Sequence, residues 1–261
     1  MPTTSHTIEC PGGHALAARL DEPEADASAY ALFAHCFTCS KDSIAASRVS
    51  RALADRGIGV LRVDFTGLGQ SEGAFAESTF TGNIADLRAA CAWLGDNRRP
   101  PGLLIGHSLG GAAVLALAGA GGEAISSVRA VATIGAPADP EHVTHLFSAG
   151  LDEIRRDGSA EVSIGGRPFR VGAALVDDLQ RQDPERTIAN LRRALMIFHS
   201  PVDRIVGIDN AATIYGWARH PKSFVSLDQA DHLLTDKADA EMVAGVLAAW
   251  AGRVLSSEPA P

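Results

Sequence analysis

The sequence predicts an α/β fold, a mostly parallel sheet of eight strands flanked by helices, and three observations carry that expectation. Short apolar runs alternate with segments of helical period along most of the chain, as they do where parallel strands are joined by crossover helices. A serine stands between glycines where an apolar run ends and a small-residue run begins, in Ile105-Gly106-His107-Ser108-Leu109-Gly110-Gly111. Two later apolar runs are followed, in order, by an aspartate and a histidine, Asp203 and His232.

Residues 6–10 and 14–20 flank Pro11-Gly12-Gly13, a turn signal that pairs them as antiparallel strands. The apolar strand Tyr30-Ala31-Leu32-Phe33-Ala34 leads to a helix over 44–54, and a strand over 58–64 leads to an amphipathic helix over 83–94. Gly102-Leu103-Leu104-Ile105 has the character of a buried parallel strand, and the small residues of 112–118 that of a tightly packed helix. Strands at 128–134, 195–199 and 224–227 complete the sheet, with helices over 208–218 and 238–251. Between the sixth strand and the seventh, segment 138–190 is too long for a plain connection and is expected to form a lid. Within it, residues 160–171 alternate around Gly165-Gly166, a hairpin signal, and helices are expected on either side. One domain over 1–255 and a disordered tail over 256–261 account for the chain.

A chain of 261 residues, 46% hydrophobic and 21% charged, can bury a large single core. The net charge of −8, without a basic run or aromatic residues interleaved with basic ones, excludes nucleic acid as the expected partner. Asp64-Phe65-Thr66-Gly67-Leu68-Gly69 lacks the G-x-G-x-x-G order of a dinucleotide loop, and no cofactor is predicted. Residues 1–6 show neither a basic nor an apolar leader segment, and no run approaches the ~20 apolar residues of a membrane span. The expected location is the cytoplasm, with no membrane partner. Oligomeric state has no signature, which leaves a homodimer open.

The chemistry centres on the glycine-framed serine. Glycines at 106 and 110 remove side chains that would clash across a sharp strand-to-helix turn, leaving the Ser108 hydroxyl exposed at its tip. An ordinary glycine-rich turn with a helix-capping serine has the same letters; the strand before and the helix after favour a nucleophile. Asp203 and His232 each follow the carboxyl end of a later strand. Singly they could be a turn aspartate and a capping or core histidine, but three matching strand ends in the order Ser, Asp, His make coincidence a poor account. In that reading His232 takes the proton from Ser108, Asp203 orients the imidazole, and the N–H of Leu109 is one donor to the developing oxyanion.

These motifs, in this order, resemble the α/β-hydrolase superfamily over nearly the full length. His35-Cys36-Phe37-Thr38-Cys39-Ser40 resembles the His-Gly-Phe loop of esterases, with Cys36 in place of the usual glycine. That resemblance implies the N–H of Phe37 as second oxyanion donor, His35 as a brace for the loop, and a strand order of 1-2-4-3-5-6-7-8. A narrower likeness, carried by residues 35–42, 64–73, 134–140 and 220–227, is to bacterial hydrolases often fused to an OsmC-like peroxidase domain. Nothing after Trp250 has the length for that domain, so peroxidase activity is not expected. The implied activity is that of a serine hydrolase, foremost a carboxylesterase for short-chain acyl esters, with a small-molecule ester as partner. A thioesterase, an amidase or a carbon–carbon bond hydrolase would use the same residues.

His107, Leu146, Phe147, Leu151, Leu175 and Leu179 are candidates to line an apolar acyl pocket; simple packing of the lid onto the core is the alternative. Cys36 and Cys39 have C-x-x-C spacing, which suits a redox dithiol or half of a zinc site. No second such pair follows, and His142 and His145 fit a helix face equally well, so no metal is predicted. Reduced, structural thiols are the expectation. A non-catalytic redox-sensing or binding module using Cys36 and Cys39 is the competing class.

Overall fold

The computed structural model describes residues 2–256. Eight strands form one sheet: β1 (Thr3–Glu9), β2 (Ala15–Asp21), β3 (Ala29–Ala34), β4 (Ile58–Val63), β5 (Leu103–His107), β6 (Ala130–Ile134), β9 (Ala194–His199) and β10 (Lys222–Ser226). The two numbers skipped belong to the hairpin β7 (Ser159–Ile164) and β8 (Arg167–Gly172), a separate two-stranded sheet. The order β1-β2-β4-β3-β5-β6-β9-β10 is the predicted one. β1 and β2 pair antiparallel, as does β2 with β4, and the remaining pairs are parallel.

The central strands are apolar on both faces because helices cover both. Ala31 and Phe33 of β3 point into a layer made by α1 (Ile44–Ala54) and α8 (Lys237–Ser256). Their neighbours Leu32 and Ala34 point the other way, against α2 (Phe80–Asn97) and α3 (Leu109–Ala120). This period of two, with both faces buried, explains why these strands show continuous apolar runs instead of alternation.

Helix α2 starts three residues before the predicted 83, because Thr79 caps it: its Oγ1 accepts from Gly82 N at 2.9 Å. Helix α8 runs on to Ser256, whose hydroxyl donates to the Gly252 carbonyl at 2.7 Å. The tail expected over 256–261 therefore does not include Ser256, and 257–261 lie outside the described residues.

The long connection between β6 and β9 folds as predicted around a hairpin. Ile164 pairs with Arg167 across Gly165 and Gly166, both at positive φ (59° and 77°), which only glycine adopts without strain. On one side lie a 3₁₀ run, Pro140–Gly150, kinked at Phe147, and α4 (Leu151–Asp157); on the other lie α5 (Ala173–Gln180) and α6 (Pro184–Ala189). Helix α7 (Asp209–Trp217) follows β9. Among the described residues no helix is long and apolar enough to cross a membrane.

Candidate active site

The turn from β5 into α3 places Ser108 at φ 54° and ψ −125°, a conformation that costs a non-glycine residue about 1–3 kcal/mol. The flanking glycines make that turn sterically feasible. A Cβ on Gly106 would lie 2.2 Å from the Gly110 carbonyl oxygen, and one on Gly110 would lie 2.4 Å from the carbonyl oxygens of Ala34 and His35. Leu109 is the first residue of α3, so its N–H has no acceptor within the helix and points out at the positive end of the helix dipole.

Asp203, on the loop after β9, and His232, on the loop after β10, meet through a 2.7 Å bond from His232 Nδ1 to Asp203 Oδ2. The other carboxylate oxygen accepts from the N–H groups of Ile205 (2.8 Å) and Val206 (3.0 Å). Burial opposes the charge on Asp203, but the bond to His232, its charge and the two N–H donors prevail and hold the carboxyl below its usual range. With Nδ1 engaged by the carboxylate, the neutral ring carries its free lone pair on Nε2.

The loop after β3 carries Phe37, whose ring packs against Phe75 (5.6 Å between centroids) and Phe147 (6.0 Å). His35 braces this loop. Its Nε2 accepts from Phe65 N at 3.2 Å, which leaves Nδ1 to donate to the Cys36 carbonyl at 2.8 Å. Cys36 and Cys39 are bonded to each other, contrary to the expectation of reduced thiols. The physical reason is the turn itself: Cys39 N–H bonds the Cys36 carbonyl, Thr38 sits at φ 57°, and the two Cα atoms come to 5.4 Å, within bridging range.

The candidate pocket residues separate into distinct environments. Leu146 lines a small cavity, about 20 Å³, together with Ser108, Leu109, Pro137, Val143 and Ile205. Phe147 is buried against Phe37, while Leu175 and Leu179 sit in the core with Leu151 packed against it. His107 is not in that cavity. Its side chain turns away from that cavity, and Nε2 donates to the His232 carbonyl at 2.6 Å, because residues alternate across β5; Ser108 itself, expected to be exposed at the tip of the turn, is buried beneath the residues that line the cavity. Burial, and then the neighbouring His232, push the His107 imidazole down to about 3.

Two further residues at the site had no role assigned from the sequence. Gly135, at φ 54°, lies so close that a Cβ would stand 3.2 Å from Asp203 Oδ2 and 3.3 Å from His232 Nδ1. His199 donates Nε2–H to the Val206 carbonyl at 2.8 Å and lies 3.8 Å from Asp203 Oδ2; burial lowers its pKa. Each stands at the carboxyl end of a strand, which was the available signal. His142 and His145 make hydrogen bonds to the Ile205 and His142 carbonyls, and so serve as ties within and beside the insert.

A strand-turn-helix serine, an aspartate-histidine pair on the next loops and an eight-stranded sheet in this order define an α/β hydrolase, and the family comparison agrees. The chain belongs to the alpha/beta hydrolase family, whose model matches residues 31–258. It is similar to the esterase domain of a Rhodothermus marinus protein, with 53% identity, 98% of this chain and 100% of that one covered, and a TM-score of 0.80. Est1E of Butyrivibrio proteoclasticus, solved with ferulic acid bound, shares the fold at 19% identity and a TM-score of 0.77, over 97% of this chain and 100% of that one. The uncharacterized protein YfhR of Salmonella typhi is 25% identical over 187 residues, which are 69% of this chain and only 57% of that protein.

Proposed function

We propose that this hydrolase is a carboxylesterase that cleaves short-chain acyl esters through an acyl-enzyme on Ser108. The observation that carries this reading is the 2.7 Å Asp203–His232 bond, formed at the same sheet edge as the strained, glycine-framed Ser108. The 53% identity to an esterase domain supports an ester as the substrate class. In the proposed mechanism His232 Nε2 removes the Ser108 proton as Oγ attacks the ester carbonyl. The N–H groups of Phe37 and Leu109 hold the oxyanion. The imidazolium, stabilised by Asp203, gives its proton to the leaving alcohol. Water, activated by the same imidazole, then releases the acid and regenerates Ser108.

Ser108→Ala is expected to lower p-nitrophenyl acetate turnover by ~10⁴–10⁶ and to abolish fluorophosphonate labelling, with an unchanged circular dichroism spectrum. Retention of more than about a tenth of wild-type turnover would reject the nucleophile, since loss of a triad nucleophile costs ~10⁴–10⁶ in turnover.

A further inference from the structure

Away from Ser108, the turn between β1 and β2 meets α2 and the loop after β4. There Cys10 Sγ, a ring nitrogen of His14 and a carboxylate oxygen of Asp86 lie within 4.8 Å of one another. Cys10 and His14 flank the turn, which is closed by bonds from Cys10 N–H to the His14 carbonyl and from Gly13 N–H to the Cys10 carbonyl, each 2.9 Å. Asp86 projects from α2, distant in sequence.

We propose that Cys10, His14 and Asp86 form a binding site for a divalent transition-metal ion of the zinc type. His14 Nε2 and Asp86 Oδ1 are 3.3 Å apart, about the edge of a tetrahedron whose bonds are about 2.0–2.1 Å. The second carboxylate oxygen of Asp86 accepts from Thr66 N at 2.8 Å, an outer contact of the kind that orients a ligand. Thr66 Oγ1 bridges the two donor atoms themselves, 3.0 Å from Oδ1 and 2.9 Å from His14 Nε2, and an incoming ion would take over those lone pairs. Sulfur, imidazole and carboxylate together select a borderline-soft ion over calcium or magnesium, which take oxygen. All three side chains also border a cavity of about 860 Å³, which gives an ion access and leaves a fourth position for water. None of its lining residues is among those around Ser108. On binding, the Cys10 S–H bond is replaced by a metal–sulfur bond and one proton leaves to solvent, with no change of oxidation state.

Chelator-treated protein, kept free of reductant so that Cys36 and Cys39 stay bonded, is titrated with Co²⁺ as a spectroscopic stand-in for Zn²⁺. One equivalent is expected to bind and produce the near-ultraviolet thiolate-to-cobalt charge-transfer absorption, which added Zn²⁺ abolishes. Cys10→Ser should remove that absorption, and His14→Gln, which deletes a ligand, should weaken Co²⁺ binding by more than the ~10–100-fold that loss of an outer partner costs, with ester hydrolysis unchanged in both. No absorption in the wild type, or an undiminished one in Cys10→Ser, overturns the proposal. His14 is 30% exposed, so His14→Gln reports even where Cys10→Ser fails to fold: an affinity equal to wild type overturns the site on its own.

Discussion

Gly135 keeps open the space in which Asp203 and His232 meet. A methyl group there would press on both partners, at 3.2 and 3.3 Å, while its backbone stays at a φ of 54° that an alanine adopts with strain. Gly135→Ala should therefore lower kcat for p-nitrophenyl acetate by about 10–100-fold with little change in KM, because misplacing His232, the proposed base, acts on the chemical step. Wild-type kcat in a folded Gly135→Ala protein would show that the pair tolerates displacement. His107 acts on stability. Its imidazole, held near 3 by burial against an ordinary value of 6.5, stays neutral in the fold where the unfolded chain takes up a proton. Its contribution is thus complete above the ordinary value and is lost as pH falls from there toward the folded one. Between pH 7 and pH 5 this amounts to about 2 kcal/mol. Buried His35 and His199 shift in the same direction. Urea midpoints at the two pH values should differ less in His107→Asn than in wild type; an equal difference would place the acid sensitivity elsewhere.

Among the elements, the loop after β3 is tied from several sides. The Cys36–Cys39 bond closes it, the Phe37 ring seats it, and Arg167 of the hairpin donates to the Thr38 carbonyl at 2.6 Å. The insert is therefore tied directly to the loop that holds the proposed oxyanion donor. A bridge that spans so few residues restricts the unfolded chain little, by about 2 kcal/mol on the chain-entropy account. Cys39→Ser should accordingly lower unfolding free energy by no more than that and keep most esterase activity, since the donor is a backbone N–H. Loss of activity with the fold and melting curve intact would mean that the bridge itself sets the donor's position, and would favour the redox reading.

At the scale of the molecule, the insert lines the cavity at Ser108. Val143 and Leu146 from its 3₁₀ run and Ile205 and Val206 from the loop that carries Asp203 leave room at Ser108 for little more than a water molecule or two. Each added methylene offers up to ~0.8 kcal/mol of burial, but only where there is space to bury it. Activity on p-nitrophenyl esters should therefore be greatest on the shortest acyl chains and fall as the chain lengthens, because steric exclusion outweighs the burial gain. Faster hydrolysis of palmitate than of butyrate esters would instead assign the exposed Leu146, Val202, Ile205 and Leu233 to a lipid-binding surface.

The sequence by itself determined the layers, the hairpin at Gly165-Gly166 and the three strand ends that carry Ser108, Asp203 and His232, because apolar period and turn residues act within a few positions of one another; the strand order came from the family resemblance. Tertiary structure alone decided the rest. The bond between Asp203 and His232, the turning of His107 toward a carbonyl 125 residues away, the crowding at Gly135 and the meeting of Cys10 and His14 with Asp86 join segments far apart in the chain. The Cys36–Cys39 bond spans only three residues, yet it depends on how β3 delivers its loop to the sheet edge. Local pattern states which face a side chain takes; only the packing of distant elements fixes what it meets there.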